Sequence, residues 1–113
     1  MCNQNTLKQI TDKVCNYSKD VFGQRLSAVK LYGSYARGDF DDESDIDIII
    51  IADISPEERV SYRNQIFDYI YDLNLEYGVL LSIFIQDKST FERYRDSYPF
   101  FKNIESEGVD LVA

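Results

Sequence analysis

The stretch GSYARGDFDDESDID, residues 33–47, followed by four isoleucines at 48–51, governs the interpretation of this sequence. The isoleucines predict a buried strand. Asp45 and Asp47 stand two positions apart at its start, so both carboxylates can point to one face and bind the same divalent cation. Upstream, Gly33-Ser34 ends another apolar run at a point where a short helix can begin and present backbone N–H groups to phosphate. Together these features predict transfer of a phosphoryl or nucleotidyl group.

Composition limits the class of protein. The chain has 113 residues, of which 44% are hydrophobic, with only two prolines and five glycines. We expect a single domain, residues 1–113. Twelve basic against twenty acidic residues give a net charge of −8, which disfavours a DNA duplex as partner. The sequence has neither a long uncharged apolar segment nor a signal-peptide pattern, so we expect no membrane insertion and a cytoplasmic location.

The residues that are missing exclude several chemistries. The sequence contains no histidine, which excludes Ser-His-Asp and Cys-His mechanisms and His-ligated zinc. Its two cysteines, Cys2 and Cys15, are expected to be unpaired and without a catalytic role in a reducing cytosol.

Periodicity and capping signals predict an α/β (α+β) fold, a small mixed sheet with helices packed on one face. In the long helix that Ser55, Pro56 and Glu58 begin, we expect a buried face of Val60, Phe67, Ile70 and Leu73. Ser89 and Glu92 predict a second capping box. The predicted order is a helix at 7–23, strands at 25–33 and 44–52, a helix at 56–76, a strand at 79–86, helices after 89 and 99, and an edge strand at 109–112.

Connection lengths predict the topology. About ten residues separate the first two strands, too few for a parallel crossover, so these strands are expected to be antiparallel. This arrangement brings Gly33-Ser34 beside Asp45 and Asp47. The long helix supplies a right-handed crossover that makes the second and third strands parallel.

Gly-Ser, a ten-residue interval and Asp-x-Asp leading into an apolar strand resemble the minimal nucleotidyltransferases of the DNA polymerase beta superfamily. The likeness covers about residues 20–86, and the tail 103–112 is also similar to that family's ending. The resemblance implies that Gly33 and Ser34 hold the triphosphate, that Asp45 and Asp47 bind Mg²⁺ or Mn²⁺, and that a nucleotide is transferred with loss of pyrophosphate. It also implies a protein partner, because many members are antitoxins encoded beside a HEPN-type toxin, and some add AMP to that toxin.

The sequence departs from this family at the third strand. Active members carry a third carboxylate there, whereas alternation in Val79–Gln86 places Ser82 opposite the aspartate pair. A serine hydroxyl is a weak metal ligand and no general base near neutral pH, so we expect slow or absent catalysis with Ser82 in the catalytic position. Asp87 and Glu76 are the two nearby carboxylates that could substitute.

Several assignments stay open at this level. Arg37 is interpreted equally as a triphosphate contact and as a partner of nearby aspartates, and the acidic loop 39–43 is expected to be solvated. The aromatic residues Tyr94, Tyr98, Phe100 and Phe101 can be core or an exposed patch for a partner.

The predicted function is Mg²⁺-dependent transfer of a nucleotide, AMP from ATP being expected, to a hydroxyl on a partner protein. The alternative is a weak or inactive binding module that neutralises a HEPN-type toxin, and self-association is compatible with either function.

Overall fold

The computed structural model describes residues 3–112 and contains a four-stranded sheet with five helices. The elements are α1 (Gln4–Phe22), a 3-10 turn (Gly23–Arg25), β1 (Leu26–Tyr32), α2 (Ser34–Arg37), β2 (Ile46–Ala52), α3 (Pro56–Tyr77), β3 (Leu81–Asp87), α4 (Lys88–Tyr94), α5 (Pro99–Glu107) and β4 (Val109–Asp110). None of the helices in this described part is both long and apolar enough to span a bilayer. Cys15 is buried, whereas Cys2 lies outside the described residues.

The strand order is β3-β2-β1-β4. β1 pairs antiparallel with β2, and β2 pairs parallel with β3. The long helix α3 forms the connection from β2 to β3. β4 adds a short antiparallel edge beside β1. The predicted fold class, mixed sheet and strand directions are therefore confirmed.

The helices cover both faces of the sheet, so the prediction that they pack on one face is wrong in this detail. Alternate residues of β2 point to opposite sides, and every one from Ile48 to Ile51 is buried. One face packs against α1 and α3, through Ile10, Val14, Ile66 and Leu73. The other packs against α4 and α5, through Phe91, Phe101 and Ile104. A strand buried on both sides carries no polar alternation, which explains the unbroken isoleucine run.

Helix starts follow the predicted signals at α3 but not at α4. Ser55 and Glu58 form the reciprocal capping box, with Pro56 at the first helical position. At α4 the cap is Asp87, whose carboxylate accepts from the Thr90 N–H at 3.0 Å. The predicted box of Ser89 and Glu92 is wrong because the helix begins two residues earlier, and Ser89 donates to Asp87 instead.

The buried face of α3 also differs from the prediction. Leu73 is buried, but Val60 is 46% and Phe67 is 65% exposed, while Ile66 is buried in their place. Apolar residues lie all round this helix, so periodicity alone could not identify the side that meets the sheet. The exposed apolar residues of α3 therefore form part of the surface.

Candidate active site

The two aspartates lie at the start of the central strand β2. Asp47 pairs across the sheet with Tyr32 of β1 on one side and Ser82 of β3 on the other. Residues paired in this way project from the same face of a sheet. Asp45 stands just before the strand, and both carboxylates are partly buried.

Burial and the charge of Asp45 both affect the ionisation of Asp47. Burial raises the pKa of Asp47 above its usual value, and the charge of Asp45 raises it further. Arg37 opposes this rise. Burial, together with the charge of Asp47, also raises the pKa of Tyr32 to about 12. The site therefore concentrates negative charge that a cation would stabilise.

Gly33 lies against Asp47. Its backbone φ is +74°, a conformation that residues with a side chain rarely adopt. A Cβ atom at this position would clash with Oδ2 of Asp47. Only glycine therefore lets the turn after β1 approach the carboxylate this closely.

The short helix α2 turns the chain away from the sheet directly after Gly33. The N–H groups of Ala36 and Arg37 both donate to the Gly33 carbonyl at 3.1 Å. Gly38, with φ of +87°, ends the turn and donates to the Ser34 carbonyl at 2.8 Å. Ser34 occupies the first position of this turn, where backbone N–H groups lack partners within the helix.

Arg37 makes ion pairs with carboxylates in this structure. Its Nε lies 3.1 Å from Asp39 and its Nη1 lies 3.4 Å from Glu107. Of the two interpretations left open, the structure therefore shows the contact with Asp39, and it adds Glu107 from the end of α5. Asp41 has a local role in the acidic loop, because its carboxylate accepts from the Glu43 N–H at 2.9 Å.

Comparison with known proteins identifies the family. The model of the nucleotidyltransferase domain matches residues 7–109. The chain belongs to the nucleotidyltransferase domain family. It is 34% identical to a provisionally named protein adenylyltransferase of Methanocaldococcus jannaschii, over 82% of this chain and 85% of that protein. A second such protein of that organism is 29% identical over 91% of this chain and 99% of its own length.

Solved structures show the same fold. A toxin-antitoxin crystallised with AMP-PNP contains a chain that superposes with a TM-score of 0.55 at 17% identity. The match covers 91% of this nucleotidyltransferase and 73% of that chain. The family match and the curated relatives confirm the predicted resemblance and the predicted reaction class, nucleotidyl transfer.

Neither candidate carboxylate replaces Ser82 in this nucleotidyltransferase. Asp87 lies at the far end of β3, roughly 16 Å along the strand from Ser82, and it is buried as the cap of α4. Glu76 lies on α3, over the opposite face, and pairs with Lys13 at 2.8 Å. Among residues 3–112 no cluster of three or more His, Cys, Asp or Glu side chains is placed to hold a metal ion.

The carboxylates of Asp45 and Asp47 nevertheless fit Mg²⁺ when a nucleotide supplies further oxygen ligands. Mg²⁺ is commonly held by one or two carboxylates together with substrate phosphates. Asp45 and Asp47 supply the carboxylates, and a cation would oppose the burial and the charge of Asp45 that raise the pKa of Asp47. Such an ion would neutralise phosphate charge during transfer.

Of the residues that enclose the other side of the Gly33 turn, the sequence assigned a site role only to Gly33 and Arg37. A hollow of about 130 Å³ is lined by Tyr32, Gly33, Arg37, Phe100, Asn103, Ile104 and Glu107. The Phe100 ring meets Tyr32 edge to face, with centroids 5.6 Å apart. The aromatic cluster near the C-terminus was the available signal, and the structure divides it: Phe101 is buried, whereas Tyr94 and Tyr98 are about half exposed.

Gly33→Ala is expected to weaken ATP binding more than Ser34→Ala does. The added methyl group displaces the Asp47 carboxylate and strains the turn, whereas loss of the hydroxyl removes one neutral hydrogen bond of about 1 kcal/mol. Calorimetric titration with ATP and Mg²⁺ measures both affinities. Gly23→Ala is the matched control, because Gly23 also has a positive φ (+56°) but its Cβ would meet nothing within 4 Å. Unchanged ATP affinity in Gly33→Ala would contradict the phosphate role of this turn.

Proposed function

We propose that this nucleotidyltransferase moves AMP from ATP to a hydroxyl on a partner protein, in the cytoplasm and with Mg²⁺. The observation that carries the proposal is the contact of Gly33 with Asp47, which joins the turn after β1 to the carboxylate pair. The names of the curated relatives support AMP and a protein acceptor. The net charge of −8 supports an acceptor other than nucleic acid.

Each residue has a defined part in this reaction. Gly33 and Ser34 bind the triphosphate, and Asp45 and Asp47 hold the metal beside it. Arg37 lies close enough to influence Asp47, and it exchanges its contacts with Asp39 and Glu107 for the leaving pyrophosphate. These groups orient the α-phosphate for attack from the side of Ser82.

The transfer makes one bond and breaks another. The acceptor hydroxyl oxygen bonds to the α-phosphorus while the bond from that phosphorus to the oxygen that bridges it to the β-phosphate breaks, releasing pyrophosphate. The Ser82 hydroxyl is no base near neutral pH, so the acceptor proton passes to solvent. Loss of a general base typically slows a reaction on the order of 10²- to 10⁴-fold, and we expect slow turnover.

A labelled-nucleotide assay tests this proposal. The acceptor to use is the product of the neighbouring reading frame, which the family resemblance leads us to expect is a HEPN-type toxin. With ATP labelled at the α-phosphate, we expect label on that protein, dependence on Mg²⁺, and release of one pyrophosphate per label. ATP labelled at the γ-phosphate is the control and should leave the acceptor unlabelled. Label from γ-labelled ATP would indicate phosphoryl transfer and contradict the proposal.

Ser82 favours a second candidate, a binding module that covers the toxin without modifying it. This module would form a stable complex with the neighbouring product and leave it unlabelled at any concentration of ATP. Size-exclusion chromatography together with the labelling assay separates the two functions.

A further inference from the structure

The strand β3 is an edge of the sheet, and a continuous row of hollows runs along it. Three cavities of about 490, 100 and 360 Å³ lie between β3 and its neighbours α3, α4 and α5. We refer to this row as the β3-edge surface and define it by Arg59, Arg63, Phe67, Tyr71, Ile83 and Phe84.

The β3-edge surface exposes large apolar side chains. Phe67 is 65% exposed, Tyr71 is 56% exposed and Phe84 is 39% exposed. Leu80, just before the strand, is 58% exposed. A contiguous apolar area of this kind on a small domain indicates an interaction site.

Its charge is opposite in sign to that of the whole chain. Although the sequence has twenty acidic residues, none of the described residues that line the three hollows is aspartate or glutamate. The charged residues that line them are Arg59 and Arg63. The Arg59 guanidinium lies 5.9 Å from the centre of the Phe84 ring and 3.5 Å from the Gln86 amide oxygen. The surface therefore attracts apolar and acidic groups.

The surface is continuous with the candidate active site. Ser82 lines the same hollow as Phe67 and Ile83, and it pairs with Asp47. In nucleotidyl transfer the attacking and leaving oxygens lie in line on opposite sides of phosphorus. Because Gly33 follows β1 and Asp47 lies on β2, an acceptor in line with the leaving pyrophosphate would approach over β3.

We propose that the β3-edge surface binds the acceptor protein, through a segment of it that combines apolar side chains with carboxylates. This inference rests on the proposed function and identifies the surface that selects its acceptor. A second copy of this chain is a poor occupant, because a symmetric contact would offer Arg59 and Arg63 only the same carboxylate-free surface. An acidic, apolar segment satisfies both the arginines and the exposed rings.

The variant Arg63→Glu/Phe67→Ser tests the proposal. Both side chains are exposed and stand one helical turn apart on α3, so the fold should be retained. We expect the dissociation constant for the purified product of the neighbouring reading frame to rise about 30-fold or more. The affinity for ATP should be unchanged, because Gly33 and Asp47 are untouched. Lys19→Glu, which makes the same change in net charge on α1, is the matched control and should bind normally.

The outcomes separate this inference from the proposed function. A wild-type complex that Arg63→Glu/Phe67→Ser weakens, without labelling of the partner, would support the surface and contradict AMP transfer. Labelling by both proteins at equal rates would support transfer and overturn the surface. Equal binding of the partner by the wild type and by Arg63→Glu/Phe67→Ser would also overturn the role of the β3-edge surface. So would the absence of binding by the wild type.

Discussion

Replacement of the aspartate pair, as Asp45→Asn/Asp47→Asn, is expected to reduce nucleotidyl transfer by on the order of 10³-fold or more. We propose that the two carboxylates hold Mg²⁺ beside the Gly33 turn, and a metal ion contributes several kcal/mol of charge stabilisation during transfer. The change should also abolish the rise in melting temperature that millimolar Mg²⁺ and ATP give the wild type through ligand linkage. Initial rates with labelled ATP and thermal denaturation measure the two effects.

Asp42→Asn/Glu43→Gln is the matched control for this result. It neutralises the same number of carboxylates in the adjoining loop, where both side chains are exposed. We expect it to retain transfer and the thermal shift. Equal thermal shifts in the wild type and in Asp45→Asn/Asp47→Asn would overturn the metal site.

Ser82→Asp is expected to increase transfer by about 10²- to 10⁴-fold, the usual contribution of a general base. Ser82 is exposed and paired with Asp47, so the new carboxylate would project from the same face as Asp47. There it could take the proton from the attacking hydroxyl of the acceptor protein. Without metal the added negative charge repels the aspartates, so the variant should be less stable in chelator and recover with Mg²⁺. Initial rates with the neighbouring product, and melting temperatures with and without Mg²⁺, measure these effects.

Ser82→Asn is the control variant, because asparagine has nearly the same shape as aspartate but carries no charge. We expect its rate to stay close to that of the wild type, and its stability to be insensitive to chelator. Rapid transfer by the wild type that Ser82→Asp abolishes would show that another group acts as base. Because Asp87 caps α4 and Glu76 pairs with Lys13, both lie away from the site. The base would then belong to the acceptor.

The sequence itself predicted the candidate carboxylate pair of this protein and the topology around it. Asp45 and Asp47 stand at a strand start, and their proximity follows from the two-residue period of a strand. The short connection after Gly33 forces β1 and β2 to be antiparallel, which places this turn beside the pair. These features depend on neighbouring residues and chain length, and both can be read from a single sequence.

Contacts between distant parts of the chain decided the rest. Arg37 meets Glu107, 70 residues away, and Lys13 fixes Glu76, 63 residues away. No local pattern encodes either pair. The strict need for glycine at position 33 arises from the Asp47 carboxylate of a neighbouring strand, not only from the turn. The apolar residues all round α3 have no preferred side until the helix packs on the sheet, so only tertiary packing decided that Ile66 is buried and that Phe67 lies on the β3-edge surface.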